Sequence, residues 1–305
     1  MIKRNILLTI ICVIIITFTG CQNNEEPVII DSGEVLLEPE NKSGETEIVF
    51  GVFCFDSTVS LFLQYRPLTD YLSKKTGEKI RLKLFRSNND LFESLKREEI
   101  DIALISDAMY SILRLNEVDN YSIIGTPVYE GSANYNCEII VNSDSIISEV
   151  KDLKGKSFAF FDMFSVPGYY FPLKKIGELN MKPDEYFSAI YYVKNLHDLL
   201  NFILNKRVSA VCIPSYYFNL YRRENLKDKI KVIEISDAFI HGPFIIKNSL
   251  DDEIQVKIID TLFEVHNDKE GRKILENIHF DKIEKSTPGD YSKSFELVKK
   301  YYKPE

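Results

Sequence analysis

From residue 48 onward, short apolar runs alternate with stretches whose apolar residues recur at helical spacing. Runs such as Ile48–Phe53 and Ile80–Phe85 have the length of strands, and the intervals between runs are long enough for helices. The predicted elements of the first half are strands at Ile48–Phe53, Ile80–Phe85 and 100–105, and helices at 61–74, 89–97 and 108–116. Strict alternation of strands and helices predicts an α/β domain with a largely parallel sheet.

The same alternation continues in the second half and predicts a second α/β unit. Its predicted strands are 136–141, 157–161, 190–193, 208–213 and Ile230–Ile235, and its helices are 145–152, 166–180, 196–206 and 216–224. After an apolar run at 244–246, helices are predicted at 251–266, 271–278 and 291–302. Two α/β units of similar size imply two lobes with a cleft between them, and ligands of such sheets bind at the carboxyl ends of the strands.

The first 20 residues have the organisation of a targeting segment. Lys3 and Arg4 precede an apolar run at 6–16, which is shorter than the about 20 residues that span a bilayer. The segment FTGC at 18–21 resembles the cleavage site of a bacterial lipoprotein. It predicts removal of residues 1–20, a lipid on Cys21 and a location on the extracytoplasmic side of the cell membrane. Residues 21–47 are acidic and interrupted by Pro and Gly, so we expect a flexible tether.

Composition narrows the classes of partner. The net charge of −8 and the absence of Trp make nucleic acid a poor partner. Beyond the targeting segment and Cys21, the cysteines are Cys54, Cys137 and Cys212, and none lies in a CxxC or Cys/His pattern. We therefore expect neither a disulfide framework nor a metal site, although one bridge among the three stays open. No cofactor is expected.

The residues between the strand at 157–161 and the following helix are the main candidate for chemistry. A strand that runs into a helix N-terminus leaves several backbone N–H groups pointing at one place, where the helix dipole also favours an anion. Ser165 has the position of a helix N-cap and Pro167 suits a first helical turn. We call residues 162–168 the Ser165 turn. Its alternative interpretation is an ordinary capped helix in an α/β domain.

Over about residues 48 to 290 the chain resembles the phosphate/phosphite/phosphonate substrate-binding proteins of ABC transporters. The matching motifs are Gly51 in the first strand, PLTDYL at 67–72, EIDIA at 99–103, YNCEIIV at 135–141, DLKGKSFAF at 152–160 and SVPGYYFP at 165–172. The resemblance implies the type II periplasmic-binding-protein fold, with a mixed sheet flanked by helices in each lobe. It places 48–138 and 240–305 in lobe 1 and 139–239 in lobe 2. It also implies a small anionic ligand and ABC permease and ATPase partners, and we expect a monomer.

The resemblance places the family's STSG phosphonate cradle at residues 165–168. Ser165 and Gly168 are retained, whereas Val166 and Pro167 replace the middle Thr and Ser. Two hydroxyl donors and one amide donor are therefore lost. A hydrogen bond to a charged group contributes about 1.5–3 kcal/mol, so we expect weaker phosphonate binding or a more apolar ligand.

Other candidates lie at strand ends or at positions that the resemblance implies. The candidate ligand-binding residues are Ser165, Gly168, Tyr169, Val166, Tyr110, Ser106, His197, Asn88 and Tyr135. Asn88 falls where the family has an aromatic residue, and His197 is one residue out of register with a family histidine. Tyr110 has core packing as its alternative, and His197 has a solvent-facing helical position.

These observations predict a lipid-anchored, extracytoplasmic solute-binding protein of an ABC importer. The alternative is a membrane-tethered receptor of the same fold that presents a small molecule to a sensor protein. An enzyme would need Ser165 and His197 as nucleophile and base, but the sequence has neither a GxSxG elbow nor an HExxH motif. We therefore expect no catalysis.

Overall fold

The computed structural model describes residues 29–30, 47–53, 58–194, 196–216 and 228–303. Two six-stranded sheets of mixed direction form the centres of two lobes, and helices flank both sheets. The fold class predicted from the sequence, a two-lobed periplasmic-binding-protein fold with a cleft between α/β lobes, is therefore correct.

Lobe 1 contains the strands and helices that follow residue 47, up to residue 128, and those of the C-terminal segment from residue 244 onward. Its strands are β2 (Ile48–Phe53), β3 (Ile80–Phe85), β4 (Ile102–Leu104), β5 (Tyr121–Val128), β13 (Phe244–Lys247) and β14 (Lys282–Lys285), in the sheet order β14-β5-β13-β4-β2-β3. Its helices are α1 (Thr58–Thr76), α2 (Asn88–Lys96), α3 (Asp107–Leu115), α7 (Asp252–Glu264) and α8 (Lys269–Asn277). Strands β2, β3 and β4 are parallel, so the loops after them meet at one edge of the sheet.

Lobe 2 contains a mixed sheet in which one strand runs antiparallel to both of its neighbours. Its strands are β1 (Ile29–Ile30), β7 (Cys137–Asn142), β8 (Ser157–Phe160), β9 (Ala189–Val193), β10 (Ala210–Pro214) and β11 (Ile230–Ile235), in the order β1-β9-β8-β10-β7-β11. Its helices are α4 (Phe171–Glu178), α5 (Pro183–Tyr186) and α6 (Leu196–Leu204), with 3₁₀ and π turns at Val150–Leu153 and Val166–Tyr170. Strand β8 leads directly to the Ser165 turn at the carboxyl edge of this sheet.

The two lobes are joined by a short antiparallel pair and by a helix. Strands β6 (Asn134–Tyr135) and β12 (Phe239–Ile240) pair with each other outside both main sheets. The C-terminal helix α9 (Ser292–Tyr301) packs against α3 of lobe 1 and against α4 and the Val166–Tyr170 turn of lobe 2. One hydrophobic cluster therefore continues from lobe 1 through α9 into lobe 2.

Some predicted boundaries in lobe 2 differ from the structure. Strand β7 begins at Cys137, so the sheet of lobe 2 includes two residues that the predicted boundary assigned to lobe 1. The helix predicted at 145–152 is wrong, because this region forms only the 3₁₀ turn Val150–Leu153. The helix predicted from Val166 begins with a π turn, in which the N–H of Phe171 bonds to the carbonyl of Val166. Pro172 carries no N–H and so cannot continue a regular α-helical ladder from this turn.

Two strands of lobe 1 were not predicted. The residues of β5 include Gly125 and Pro127, which interrupt its apolar pattern. Gly125 is needed there because a Cβ at this position would lie 2.4 Å from the carbonyl oxygen of Glu284 in β14. Strand β14 is a charged edge strand, a composition typical of edges that avoid further pairing.

Two other predictions concern the N-terminal segment and residues 216–224. The tether was predicted to lack structure, but Ile29 and Ile30 pair in parallel with Tyr192 and Val193 at the edge of lobe 2. Most of the helix predicted at 216–224 lies outside the described residues, which stop at Tyr216 and resume at 228. Cys21, where a lipid is predicted, also lies outside them. Among the described residues, no helix has the length and hydropathy needed to cross a bilayer.

Candidate functional site

A cavity of about 400 Å³ lies between the lobes, and we call it the cleft cavity. This volume is within the range of small-molecule sites. Among the described residues, its lining comprises Val52, Phe53, Gln64, Tyr65, Asn88, Leu104–Asp107, Pro127 and Tyr129 from lobe 1, Phe161, Phe164–Gly168, Leu196, Cys212, Pro214 and Tyr216 from lobe 2, and Tyr135, His241, Gly242, Ile278 and His279. Both lobes therefore contribute walls, and most of the lining is apolar or aromatic.

The Ser165 turn lines the cleft cavity, as the sequence predicted. The Oγ of Ser165 accepts a hydrogen bond of 3.0 Å from the N–H of Gly168, which is the predicted N-cap interaction. Gly168 fits closely against the preceding strand, because a Cβ there would lie 2.3 Å from the Cβ of Phe161. The turn therefore has both the predicted location and a packing reason for its glycine.

The amides of the Ser165 turn are used within the turn. The N–H groups of Tyr169 and Tyr170 both donate to the carbonyl oxygen of Ser165, at 3.0 and 3.4 Å. The N–H of Ser165 donates to the carbonyl of Asp162, and Pro167 has no N–H to donate. The amides of Gly168, Tyr169 and Tyr170 are therefore already bonded in this conformation.

Asp162 supplies a carboxylate to the same turn. Its Oδ1 accepts from the N–H of Phe164 at 2.9 Å, and its Oδ2 accepts from Nδ2 of Asn88 at 2.5 Å. Burial raises the pKa of Asp162 to about 6, and the bonds from Asn88 and Phe164 oppose that rise. At neutral pH the turn therefore contacts an anion that belongs to the protein.

Ser106 forms a second polar bridge between the lobes. Its Oγ donates to the carbonyl of Phe164 at 2.6 Å and accepts from the N–H of Met109, so it also caps α3. The rings of Phe92 and Phe164 meet across the same boundary, with centroids 5.4 Å apart. With the Asn88–Asp162 bond, these contacts hold the lobes closed over the cavity.

A cluster of aromatic rings, which we call the tyrosine cluster, comprises Tyr129, Tyr135, Tyr216 and His241. The rings of Tyr129 and Tyr216 stack with centroids 4.8 Å apart, and His241 lies 4.4 Å from Tyr129 and 4.8 Å from Tyr216. Tyr135 packs on His241 at 5.2 Å. Burial lowers the pKa of His241 to about 3, so this imidazole is uncharged at physiological pH.

Asp107 places a second carboxylate in the cavity wall beside the tyrosine cluster. Its Oδ2 accepts from the hydroxyls of Tyr135 at 2.9 Å and Ser294 at 2.7 Å, and its Oδ1 accepts from the N–H of Ala108. Burial raises its pKa to about 6, while the bonds from Ser294, Tyr135 and Ala108 lower it. No Lys or Arg side chain is among the described residues that line the cavity.

Six of the nine sequence-predicted ligand residues line the cavity: Asn88, Ser106, Tyr135, Ser165, Val166 and Gly168. The described lining does not include Tyr110, which packs edge-on against Tyr291 with centroids 5.1 Å apart. It also does not include Tyr169, which packs against Tyr170 and Phe160. His197 lies in α6, but its side chain is outside the described part of the structure.

Three rings of the site were not among the candidate residues: Tyr129, Tyr216 and His241. Asp162 lies in the Ser165 turn that the sequence singled out, although it was not named as a ligand residue. Tyr129 follows the unpredicted strand β5, and Tyr216 follows Pro214 at the end of β10. If a strand had been assigned to 121–128, Tyr129 would have been placed at a strand end. His241 lies far along the chain from Tyr129, and only the fold brings its ring against Tyr129 and Tyr216.

The described cysteines and potential metal ligands do not form a disulfide or a metal site. Cys137 and Cys212 are buried free thiols whose pKa values burial raises, whereas Cys54 lies outside the described residues. In the described ranges, no group of three or more His, Cys, Asp or Glu side chains is placed to hold a metal ion.

Comparisons with known proteins agree with this architecture. The family model described as "ABC transporter, phosphonate, periplasmic substrate-binding protein" matches residues 50–291. The phosphonates-binding periplasmic protein of Escherichia coli (strain K12) is 24% identical over 258 residues, which cover 80% of this chain and 73% of that protein.

Solved structures share the fold at low sequence identity. A binding protein component of an ABC phosphonate transporter from Pseudomonas aeruginosa has a TM-score of 0.73 and 21% identity, covering 82% of this chain and 85% of its own. PhnD1 from Prochlorococcus marinus, in complex with methylphosphonate, has a TM-score of 0.74 at 13% identity, with 83% and 97% covered. A Xanthomonas citri protein bound to ATP has a TM-score of 0.70 at 13% identity, with 84% and 98% covered. By its family match over residues 50–291, this chain belongs to the periplasmic substrate-binding proteins of phosphonate ABC transporters.

Proposed function

We propose that this protein is a lipid-anchored, extracytoplasmic solute-binding protein that captures a small ligand in the cleft cavity and delivers it to the permease and ATPase subunits of an ABC importer. The observation that carries this proposal is a cavity with walls from both lobes, closed by the Asn88–Asp162 and Ser106–Phe164 bonds. A ligand held there contacts both lobes only in the closed state, so its binding favours closure.

The connection between the lobes suits such a movement. In the described part of the chain, short segments at 129–136 and 236–243 cross between the main sheets, and the β6–β12 pair lies at this crossing. Opening requires the two interlobe hydrogen bonds and the Phe92–Phe164 contact to break, while the sheets stay intact. Closure and opening are therefore a rigid-body change about the crossing segments.

The signal sequence and tether give the proposed location. A lipid on Cys21 holds the chain at the membrane, and residues 22–47 allow the body to reach a permease. The pairing of Ile29 and Ile30 with β9 attaches this point of the segment to lobe 2. We expect the protein to act as a monomer in this setting.

The family makes methylphosphonate, phosphite and phosphate the first anions to test at the Ser165 turn, together with small organic acids and amines. Thermal unfolding of residues 22–305 with each compound measures binding directly, because a ligand that binds only the folded state stabilises it by RT ln(1 + [L]/Kd). The proposal expects at least one small compound to raise the melting temperature. It fails if no small compound does so and the lobes neither open nor close in solution scattering.

A membrane-tethered receptor for a sensor protein remains the second candidate function. The closed cavity supports it equally, because both functions use the same ligand-dependent closure. Reconstitution with a permease and ATPase separates them: import requires that the loaded protein stimulate ATP hydrolysis in liposomes, whereas a receptor leaves the basal rate unchanged.

A further inference from the structure

A protein carboxylate lies at the start of the turn where a ligand anion was expected. Asp162 accepts one hydrogen bond from the turn, through the N–H of Phe164, and one from Asn88 in the other lobe. Asn88 was a predicted ligand residue, but its Nδ2 donates a hydrogen bond to Asp162. A bound oxyanion would lie near this carboxylate and repel it, which disfavours two negative charges in one site.

The turn has little left to offer an anion. Ser165 Oγ accepts from Gly168, and the Tyr169 and Tyr170 amides donate to the Ser165 carbonyl. Val166 and Pro167 bring no side-chain donor. The Ser165 hydroxyl can still donate its proton, but a phosphonate that used the amides of Gly168, Tyr169 or Tyr170 would have to break bonds that the turn makes with itself.

The opposite wall has the composition of a cation site. The rings of the tyrosine cluster line the cavity, and the negative faces of such rings attract cations. Tyr129, Tyr135 and Tyr216 are uncharged phenols, since burial raises the pKa of each. The cluster therefore offers polarisable surface without positive charge.

Asp107 adds negative charge beside these rings. Its partners are hydroxyls and an amide, namely Tyr135, Ser294 and Ala108, so its charge is stabilised by dipoles rather than by a cation. Electrostatic interactions are stronger in such a water-poor wall than in bulk solvent. Because the described lining contains no Lys or Arg, a cationic ligand would be the natural partner of this charge.

The size of the cavity also argues against a very small anion. Its volume of about 400 Å³ equals that of roughly 13 water molecules at ~30 Å³ each. Methylphosphonate has about five non-hydrogen atoms and would leave much of this apolar space unfilled. A ring or a branched alkyl group would use it.

We propose that the cleft cavity selects a compact organic cation, with its positive charge against the tyrosine cluster and Asp107 and its apolar body against the Phe161 and Phe164 wall. This inference rests on the proposed solute-binding function and specifies its ligand class. In this arrangement Asp162 serves as an internal substitute for the ligand anion and fixes the closed state through Asn88.

A series of similar compounds that vary the charge on one pyridine ring tests the proposal. Titration calorimetry on residues 22–305 would compare 1-methylnicotinamide (cation), nicotinamide (uncharged) and nicotinate (anion), with tetramethylammonium and methylphosphonate alongside. We expect the cation to bind at least fivefold more tightly than the uncharged ring, and the anion most weakly. Tighter binding of nicotinate or methylphosphonate, or no binding of either cation, overturns the proposal.

Variants separate a specific charge effect from general damage. Asp107→Asn should reduce the preference for the cation over nicotinamide by at least threefold while nicotinamide affinity changes little. Tyr216→Leu should weaken the cations more than nicotinamide, and Asp260→Asn, an exposed carboxylate on α7, is the control with the same change in charge. An unchanged cation preference in both Asp107→Asn and Tyr216→Leu contradicts the assignment.

The outcomes distinguish this inference from the proposed function. If methylphosphonate binds and the cations do not, the ligand class is wrong and solute binding stands. If none of these compounds binds and a wider set of small molecules also leaves the melting temperature unchanged, both fail. Asp162→Asn is informative in the first case, because removing the internal carboxylate should then increase methylphosphonate affinity further.

Discussion

Asn88 donates a hydrogen bond of 2.5 Å to the carboxylate of Asp162, and this bond crosses from lobe 1 to lobe 2. Asn88 begins α2 after the N-cap Ser87, whereas Asp162 follows strand β8. Both residues therefore lie at strand-to-helix connections on the facing edges of the two sheets. Their bond links the closing movement to the Ser165 turn.

Asn88→Ala should weaken ligand binding by favouring the open state. The substitution leaves one oxygen of Asp162 without its side-chain donor, and an unpaired buried group costs about 1–3 kcal/mol. We expect at least a fivefold loss of affinity for whichever ligand stabilises the wild type, and a larger radius of gyration by solution scattering.

Asn277→Ala is the matched control for that change, because Asn277 is exposed near the C-terminal end of α8. It should leave both affinity and radius of gyration unchanged. Equal affinities of Asn88→Ala and wild type would show that the interlobe bond does not contribute to closure.

Asp107 should give the protein a pH-dependent stability. Its pKa is raised from 3.8 to about 6, so the folded protein retains this proton at pH values where the unfolded chain has lost it. The free energy of unfolding therefore falls as the pH rises from about 4 to 6, by about 3 kcal/mol from this group, and is level above that range. The neighbouring Tyr135, Tyr216, Tyr291 and Cys137 stay uncharged there because burial raises their pKa values.

Chemical denaturation of Asp107→Asn at several pH values measures this contribution. The variant should lose much of the decrease between pH 4 and 6. Asp162 and Asp101 contribute to the remainder, since burial raises the pKa of each. A variant profile that superimposes on the wild type would exclude Asp107 as the titrating group. Asp260→Asn should reproduce the wild-type profile.

Gly168→Ala should disturb the Ser165 turn. The new Cβ would lie 2.3 Å from the Cβ of Phe161 and 3.0 Å from Oγ of Ser165, so the backbone has to move. Overpacking of this kind costs about 1–3 kcal/mol, which thermal unfolding can measure. Gly289→Ala is the control, since its Cβ would meet only Thr287 at 3.6 Å. Comparable melting temperatures for the two variants would contradict the close fit at Gly168.

Cys21→Ser should release the protein from the membrane. Without the thiol no lipid can be attached to residue 21. In detergent phase partitioning of the expressed full-length chain, we expect the wild type in the detergent phase and Cys21→Ser in the aqueous phase. Cys54→Ser should stay in the detergent phase, and lipid-free wild type found by mass spectrometry would refute the anchor.

Much of this architecture was predictable because it depends on local patterns. The apolar runs of β2, β3 and β11 have the predicted boundaries, and Ser165 caps the turn that its sequence indicated. Strand β5 was missed because Gly125 and Pro127 break its pattern. Its place in the sheet comes from pairing with β13 and β14, which no local pattern encodes.

The two α/β lobes and the position of the cleft were predictable from periodicity and strand-to-helix connections, which are local properties of the chain, and the family was predictable from short motifs such as 152–160 and 165–172. Which polar groups remain for a ligand depends on contacts between the lobes and was not predictable in this way. Asn88 and Ser106 were predicted to bind one, yet both are bonded to lobe 2 residues 74 and 58 positions away. Such partners meet only when the lobes close. Their hydrogen bonds satisfy groups that burial would otherwise leave unpaired, and this leaves carboxylates and tyrosine rings as the chemistry of the site.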